Sequence, residues 1–347
     1  MTVKHLEIKA LVVAAATACT LFLGLSDSHA ERYSDEVSLL ELSDSIADLS
    51  ATASQATVFI EGLRDDGEGR GTGSGFVVDA MRGIVVTNAH VVGEHKSFLI
   101  RFSDGRETNG NVLGRDPQTD LAVIKIPGAM AKHQMTWGDS DDLRPGNLVM
   151  AIGSPLGLKG TTSLGVVSAL HRRLDLVEDS YDDFIQHDAF IDRGSSGGPL
   201  LNMRGEVIGI NTAIGGSGQQ QSAWAGISYA IPMQIAKRYV DEIAAGGEIR
   251  RGFLGLSGES LDASGAKLRG LSHTYGVLIT KVIKGSPAER GGIAAKDVIL
   301  AIDGREISTS AELKARVAAV APGTSLKLKV WRRRQISEKR VIIGVKP

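Results

Sequence analysis

Between Val58 and Ala244 the chain is a succession of short β-branched runs broken by glycine. They are Thr57-Val58-Phe59-Ile60, Gly75-Phe76-Val77-Val78, Ile84-Val85-Val86, Phe98-Leu99-Ile100-Arg101, Leu121-Ala122-Val123-Ile124, Val149-Met150-Ala151-Ile152 and Val207-Ile208-Gly209-Ile210. Runs this short, separated by turn residues, predict closely spaced strands that close into a barrel or a sandwich. With 347 residues and 42% hydrophobic content the chain is long enough for a large core and more than one domain.

Three segments in this region carry chemistry. Gly194-Ser195-Ser196-Gly197-Gly198-Pro199 sets a serine among glycines, where the backbone turns tightly enough to aim N–H groups at a developing oxyanion. A serine hydroxyl needs a base beside it to become a nucleophile. Val85-Val86-Thr87-Asn88-Ala89-His90-Val91-Val92 delivers a histidine at the end of a strand-like run, as a general base requires. Asp116-Pro117-Gln118-Thr119-Asp120-Leu121-Ala122 places a carboxylate just before another strand, where it can orient an imidazole. Singly, these are a packed histidine, a turn aspartate and a loop hydroxyl. Together His90, Asp120 and Ser196 follow the chymotrypsin-type chain order, which differs from that of subtilisins and α/β-hydrolases. Metal catalysis finds no support, since His90-Val91-Val92-Gly93-Glu94-His95 lacks the zincin spacing; neither a metal nor another cofactor is expected.

With these segments the chain resembles the HtrA (DegP/DegS) family of trypsin-fold serine proteases with a C-terminal PDZ domain. Further blocks agree in the family's order: Gly71-Thr72-Gly73-Ser74-Gly75, Ala151-Ile152-Gly153-Ser154-Pro155, Gly209-Ile210-Asn211-Thr212-Ala213 and Ile227-Ser228-Tyr229-Ala230-Ile231-Pro232. The resemblance runs from about residue 58 to the end. It implies a mainly β fold: a chymotrypsin-like double six-stranded β-barrel protease domain over 58–245, then a small α+β PDZ domain over 246–347. His90 and Asp120 would come from the first barrel and Ser196 from the second. The backbone N–H groups of Gly194 and Ser196 would form the oxyanion hole. Ile210, Asn211, Thr212 and Ile227 would line the specificity pocket, which shows no acidic residue to select Lys or Arg, so a small or medium aliphatic side chain is expected there. The nucleophile segment His187-Asp188-Ala189-Phe190-Ile191-Asp192-Arg193-Gly194-Ser195-Ser196 departs from the family's Thr-Asp-Ala-Ala-Ile-Asn-Pro-Gly-Asn-Ser. Arg193 in place of proline frees φ and restores an N–H, which would let the loop collapse more readily.

The shift at Ala244-Ala245-Gly246-Gly247-Glu248 marks the domain boundary. Phe253, Leu254, Gly255 and Leu256 resemble a PDZ carboxylate-binding loop, with the helix Ser310 to Val320 walling the groove for C-terminal peptides. Lys296 stands where the family commonly has glycine. One PDZ copy is nearer to the DegS arrangement than to the two-PDZ DegP type.

At the N-terminus Lys4 and Lys9 precede an apolar stretch, Ala10 to Leu25, and Ser28-His29-Ala30 forms a small-x-small site. This layout predicts a signal peptide over 1–30, with cleavage favoured over an uncleaved membrane anchor because the apolar stretch is shorter than the roughly 20 residues of a comfortable span. Cleavage after Ala30 removes Cys19, so the mature chain would cross into an oxidising space, expected to be the periplasm, without disulfides. Residues 31–57 show a loose helical pattern and, by resemblance, contribute to a homotrimer or higher oligomer. The formal charge of −1 gives no case for nucleic acid, and Arg332-Arg333-Arg334 reads as a solvated strand end or turn. The expected partners are unfolded or misfolded proteins. Three functions stay open: a quality-control endopeptidase, a regulatory protease gated by peptide, and a non-catalytic binding scaffold.

Overall fold

The computed structural model describes residues 39–63, 71–154, 160–174, 181, 183–192, 194–212, 226–247 and 249–346. The expected signal peptide over 1–30, Arg193 and the glutamine-rich stretch from Gly215 to Ser222 therefore lie outside the described residues. The chain divides into two compact units, 1–51 and 52–347. Helix α1 covers 39–54, within the stretch where apolar spacing predicts a helix.

Six antiparallel strands close the first barrel in the order β1-β2-β3-β6-β5-β4. They are β1 (Thr57–Gly62), β2 (Thr72–Asp79), β3 (Ile84–Thr87), β4 (Ser97–Phe102), β5 (Glu107–Asp116) and β6 (Leu121–Lys125). Alternation decides which face is buried: along β4 Phe98, Ile100 and Phe102 point inward while the residues between them stay half-exposed. Those side chains meet Val58, Ile60, Val77, Val85 and Ile124 in one core. The short helix α2 (Ala89–Val92) leaves β3 directly and carries His90 to the barrel rim.

The second barrel uses β8 (Leu148–Gly153), β9 (Thr161–Arg172), β10 (Phe184–His187), β11 (Pro199–Leu201), β12 (Glu206–Thr212) and β13 (Ser228–Pro232). The pairing of β11 with β12 closes the ring, and the two-residue β7 (Thr136–Trp137) adds in parallel to β12 outside it. Helix α3 (Met233–Ala244) follows Pro232 at once. It buries Met233, Ile235, Ala236, Tyr239, Val240 and Ile243, the one-sided spacing of an amphipathic helix.

The remaining strands form a small domain of five strands in the order β15-β16-β17-β19-β20, with β18 (Arg305–Glu306) on β17 and β14 (Gly252–Phe253) paired to β21 (Gly344–Val345). The five are β15 (Leu256–Ser260), β16 (Val277–Val282), β17 (Val298–Ile302), β19 (Ser325–Arg332) and β20 (Gln335–Ile342). Helices α4 (Ala263–Arg269), α5 (Pro287–Arg290) and α6 (Ser310–Ala319) complete it. Local sequence fixes the helix starts. Ser286-Pro287-Ala288-Glu289 has the residues of a capping box: Ser286 Oγ accepts from Glu289 N at 3.3 Å, and Glu289 Oε2 accepts at 2.6 Å from the N–H of Gly285, one residue before the cap. Thr309 caps α6 likewise through Glu312 N at 3.1 Å.

Lys296 adopts φ 75, a left-handed conformation for which glycine is suited and which strains a residue with a Cβ. Arg333 and Arg334, at φ 50 and 65, make the turn between β19 and β20, while Arg332 is held by the buried Asp297.

Charged contacts join this domain to the barrels. Arg251 pairs with Asp116, both nearly buried, and Arg316 and Arg305 reach Asp141 at 2.8 and 2.7 Å. His171, at φ 59, stands between two buried carboxylates, Asp183 at 3.0 Å and Glu312 of α6 at 3.6 Å. Burial opposes protonation of its ring, but the two carboxylates outweigh burial and hold it above its ordinary range.

Candidate active site

Asp120 occupies φ 56 in the turn between β5 and β6, which aims its carboxylate back at α2. The backbone N–H of His90 donates to Asp120 Oδ1 at 2.9 Å, and His90 Nδ1 lies 2.8 Å from Oδ2 and 3.0 Å from Oδ1. A carboxylate only accepts, so Nδ1 carries the proton and the neutral ring keeps its lone pair on Nε2, as a base must. The Asp120 carbonyl is itself held, accepting from Ala89 N at 3.1 Å and Asn88 Nδ2 at 3.0 Å.

Ser196 is buried to 5% exposure on the turn that enters β11. Ser195 N donates to Asp192 O at 2.8 Å, closing a four-residue turn whose third member, Gly194, has φ 95. Positive φ is a conformation that glycine takes without the steric cost of a Cβ. The loop is tied to the first barrel by one residue whose role is not legible in the sequence. Ser74 of β2 donates its N–H to Ser196 O at 2.8 Å and its hydroxyl to Gly194 O at 2.5 Å, while that hydroxyl accepts from Ser154 N at 2.8 Å. The signal for it in the sequence is slight, a polar side chain between Gly73 and Gly75.

Of the expected pocket residues, Ile210, Asn211 and Thr212 are buried in β12 and Ile227 is open to solvent. Asn211 Nδ2 donates to Pro199 O at 2.9 Å, bracing β11. Thr212 Oγ1 donates to Asp120 Oδ2 at 3.0 Å. That bond ties the second barrel to the carboxylate carried by the first. Thr212→Val is expected to lower kcat about tenfold with KM unchanged, and Thr212→Ser to restore it. Steady-state kinetics on a peptide substrate checks this; an unchanged kcat in the valine variant would remove the role.

His187 is fully buried on β10, and burial lowers its pKa to about 4, against weaker opposing contributions from the Ala189 backbone, Asp188, Tyr229 and Asn211. None of these approaches closes a well-formed hydrogen bond to the ring. The unfolded chain therefore takes up a proton near pH 6.5 that the folded chain refuses until about pH 4. Stability falls as pH drops through that window, by about 3 kcal/mol in all, and levels off below it. Urea unfolding at pH 7 and 4.5 should show this loss, and His187→Thr should remove that part of the slope whatever its stability at neutral pH.

Phe253, Leu254, Gly255 and Leu256 line a groove of about 310 Å³ together with Leu313 and Val317 of α6. Leu254 O accepts from Ala288 N at 2.9 Å and Gly255 O from Ile283 N at 2.8 Å, so the loop's carbonyls are turned into the domain. Arg173 and Tyr181, which lie between β9 and β10, also border this groove. Among the described residues no group of His, Cys, Asp and Glu gathers to hold a metal.

Known proteins share this arrangement. Residues 73–210 match the trypsin-like peptidase domain and residues 252–343 the PDZ domain. A probable periplasmic serine endoprotease, DegP-like, of Chlamydia trachomatis is 44% identical over 262 residues, which cover 75% of this chain and 51% of that protein. The periplasmic pH-dependent serine endoprotease DegQ of Escherichia coli is 40% identical over 266 residues, covering 76% and 57%. The chain spans about half the length of the curated relatives it matches. Among solved structures, the HtrA-type protease AlgW with tripeptide superposes with a TM-score of 0.64 at 36% identity, covering 87% of this chain and 97% of that one. A serine endoprotease from Yersinia pestis gives 0.54 at 28%, covering 86% and 97%. On the double barrel, the single PDZ domain and these likenesses, the chain belongs to the HtrA family of trypsin-like proteases.

Proposed function

We propose that the chain is a serine endopeptidase acting on unfolded or damaged proteins of the periplasm, with its PDZ domain binding C-terminal peptides. The observation that carries this is the chain of hydrogen bonds from Thr212 through Asp120 to His90, which spans both barrels and leaves Nε2 as the free base nitrogen. Ser196 attacks the peptide carbonyl as His90 takes its proton and later returns it to the leaving amine. Asp120 fixes the tautomer and stabilises the imidazolium. The N–H groups of Gly194 and Ser196 receive the oxyanion; one such donor is worth roughly a hundredfold to a thousandfold in turnover. Assembly into a homotrimer and removal of residues 1–30 on export belong to the same reading.

A second reading, a protease gated by peptide, is favoured by one contact. Tyr181, at the edge of the PDZ groove, donates its backbone N–H to Gln118 O at 3.1 Å, within the turn that ends at Asp120. A ligand in the groove thus touches a residue bonded to the carboxylate's own turn. The deciding experiment is cleavage of casein by the chain lacking residues 1–30, with and without hydrophobic C-terminal peptides, against Ser196→Ala. Cleavage without peptide supports quality control, and cleavage only with peptide supports gating. No cleavage in either case overturns the protease reading in favour of a binding scaffold.

A further inference from the structure

The groove between β15 and α6 has two chemical zones. Its floor is apolar, formed by Leu254, Leu256, Val277, Leu313 and Val317. Its margin carries Arg173, Lys314 and Lys346, and among the described residues that line it none is acidic. The three cations come from separate places: Arg173 follows β9 of the second barrel, Lys314 lies on the exposed side of α6, and Lys346 follows β21. They converge. The ammonium groups of Lys314 and Lys346 stand 4.9 and 5.4 Å from the centroid of one ring, that of Tyr181. The Arg251 guanidinium is 4.8 Å from the same centroid, but it is paired with Asp116.

An extended peptide added to the β15 edge rises about 3.3 Å per residue and alternates its side chains between two directions. With its last side chain on the apolar floor, the next few residues run past this margin, within the reach of long basic side chains. We propose that the groove selects C-terminal peptides with an apolar last residue and an Asp or Glu one to three residues upstream, whose carboxylate is taken by Lys314 with Lys346 and Arg173. This rests on the reading that the Phe253–Leu256 loop holds a C-terminus. Arg173, Lys314 and Lys346 have other partners within the chain, so the ligand exchanges partners rather than meeting an idle charge. The discrimination is accordingly moderate, about tenfold.

The test uses the chain lacking residues 1–30 and carrying Ser196→Ala, with fluorescein-labelled decapeptides ending in an apolar residue and differing only in Glu, Gln or Lys at the three upstream positions. Anisotropy titrations should rank Glu about tenfold above Gln and Gln above Lys, with the gap shrinking between 50 and 300 mM NaCl. In the exposed-site variants Lys314→Gln and Arg173→Gln the Glu and Gln peptides should converge while the Gln peptide keeps its Kd. Equal binding of the three peptides, or a gap untouched by salt and by both variants, overturns the selectivity and leaves the carboxylate loop standing. Binding of none of them, or equal binding of a peptide with an amidated C-terminus, overturns the loop reading itself and the proposal with it.

Discussion

Asp120→Asn is expected to lower kcat about ten-thousandfold while leaving the fold intact. The carboxylate accepts from three donors: the His90 backbone N–H, Nδ1–H of its ring, and the Thr212 hydroxyl. An amide has one oxygen and one NH2, so it cannot accept on both arms. With its oxygen on the His90 backbone, its NH2 faces Nδ1, which must then be the acceptor. The ring proton moves to Nε2, and the base nitrogen is lost. Loss of the tautomer, with geometry retained, carries a penalty of about 10⁴ in serine proteases of this type. Cleavage of a peptide substrate across pH 6 to 9 measures it. A variant within tenfold of the parent would mean that Asp120 does not set the tautomer of His90.

Gly197→Ala is expected to destabilise the double barrel by about 3 kcal/mol or more and to abolish cleavage. Gly197 sits at φ 85, and a Cβ there would lie 2.2 Å from Thr87 Oγ1 and 2.3 Å from Ser74 O. Those two atoms are hydrogen-bonded to each other at 2.7 Å, so neither yields without breaking that bond. Left-handed strain adds about 1 kcal/mol. Gly146→Ala separates the two causes, since Gly146 has φ 91 with nothing near its missing Cβ. It should cost only the strain. At these sizes the two variants should differ by several degrees in Tm, and equal Tm values would show that the close approach is not the dominant cost.

What was readable in the sequence was local. β-branched runs become strands because their side chains fit a pleated, half-buried surface, and β4 and β6 lie almost where the runs predict them. His90, Asp120 and Ser196 stand out in the sequence as candidates because each adjoins a strand end, and the structure joins the first two by hydrogen bonds. Ser74 and Thr212 were not assigned their roles because those roles exist only in space: Ser74 binds Gly194 across 120 positions and Thr212 binds Asp120 across 92. Composition and periodicity carry no record of such bonds. His187 shows the same limit, since its burial and its poorly satisfied polar surroundings arise only when β10 is enclosed by its neighbours. The charged seam between the barrels and the PDZ domain was likewise invisible, because Arg251 and Asp116 look like ordinary surface residues in their own segments.

The bracing of the nucleophile turn by Ser74 has a consequence for recombination. The two barrels are consecutive in the chain and each closes on itself, so a junction between them looks like a natural place to splice relatives. It is a poor one. A chimera joined there pairs one parent's Ser74 with the other's Gly194 and Ser196 loop, and mismatch falls on the turn that holds the proposed nucleophile. A junction between Ala244 and Gly252 leaves every one of those bonds within a single parent, and exchange of the PDZ domain there disturbs the charged seam and the Tyr181 contacts while sparing the braced turn.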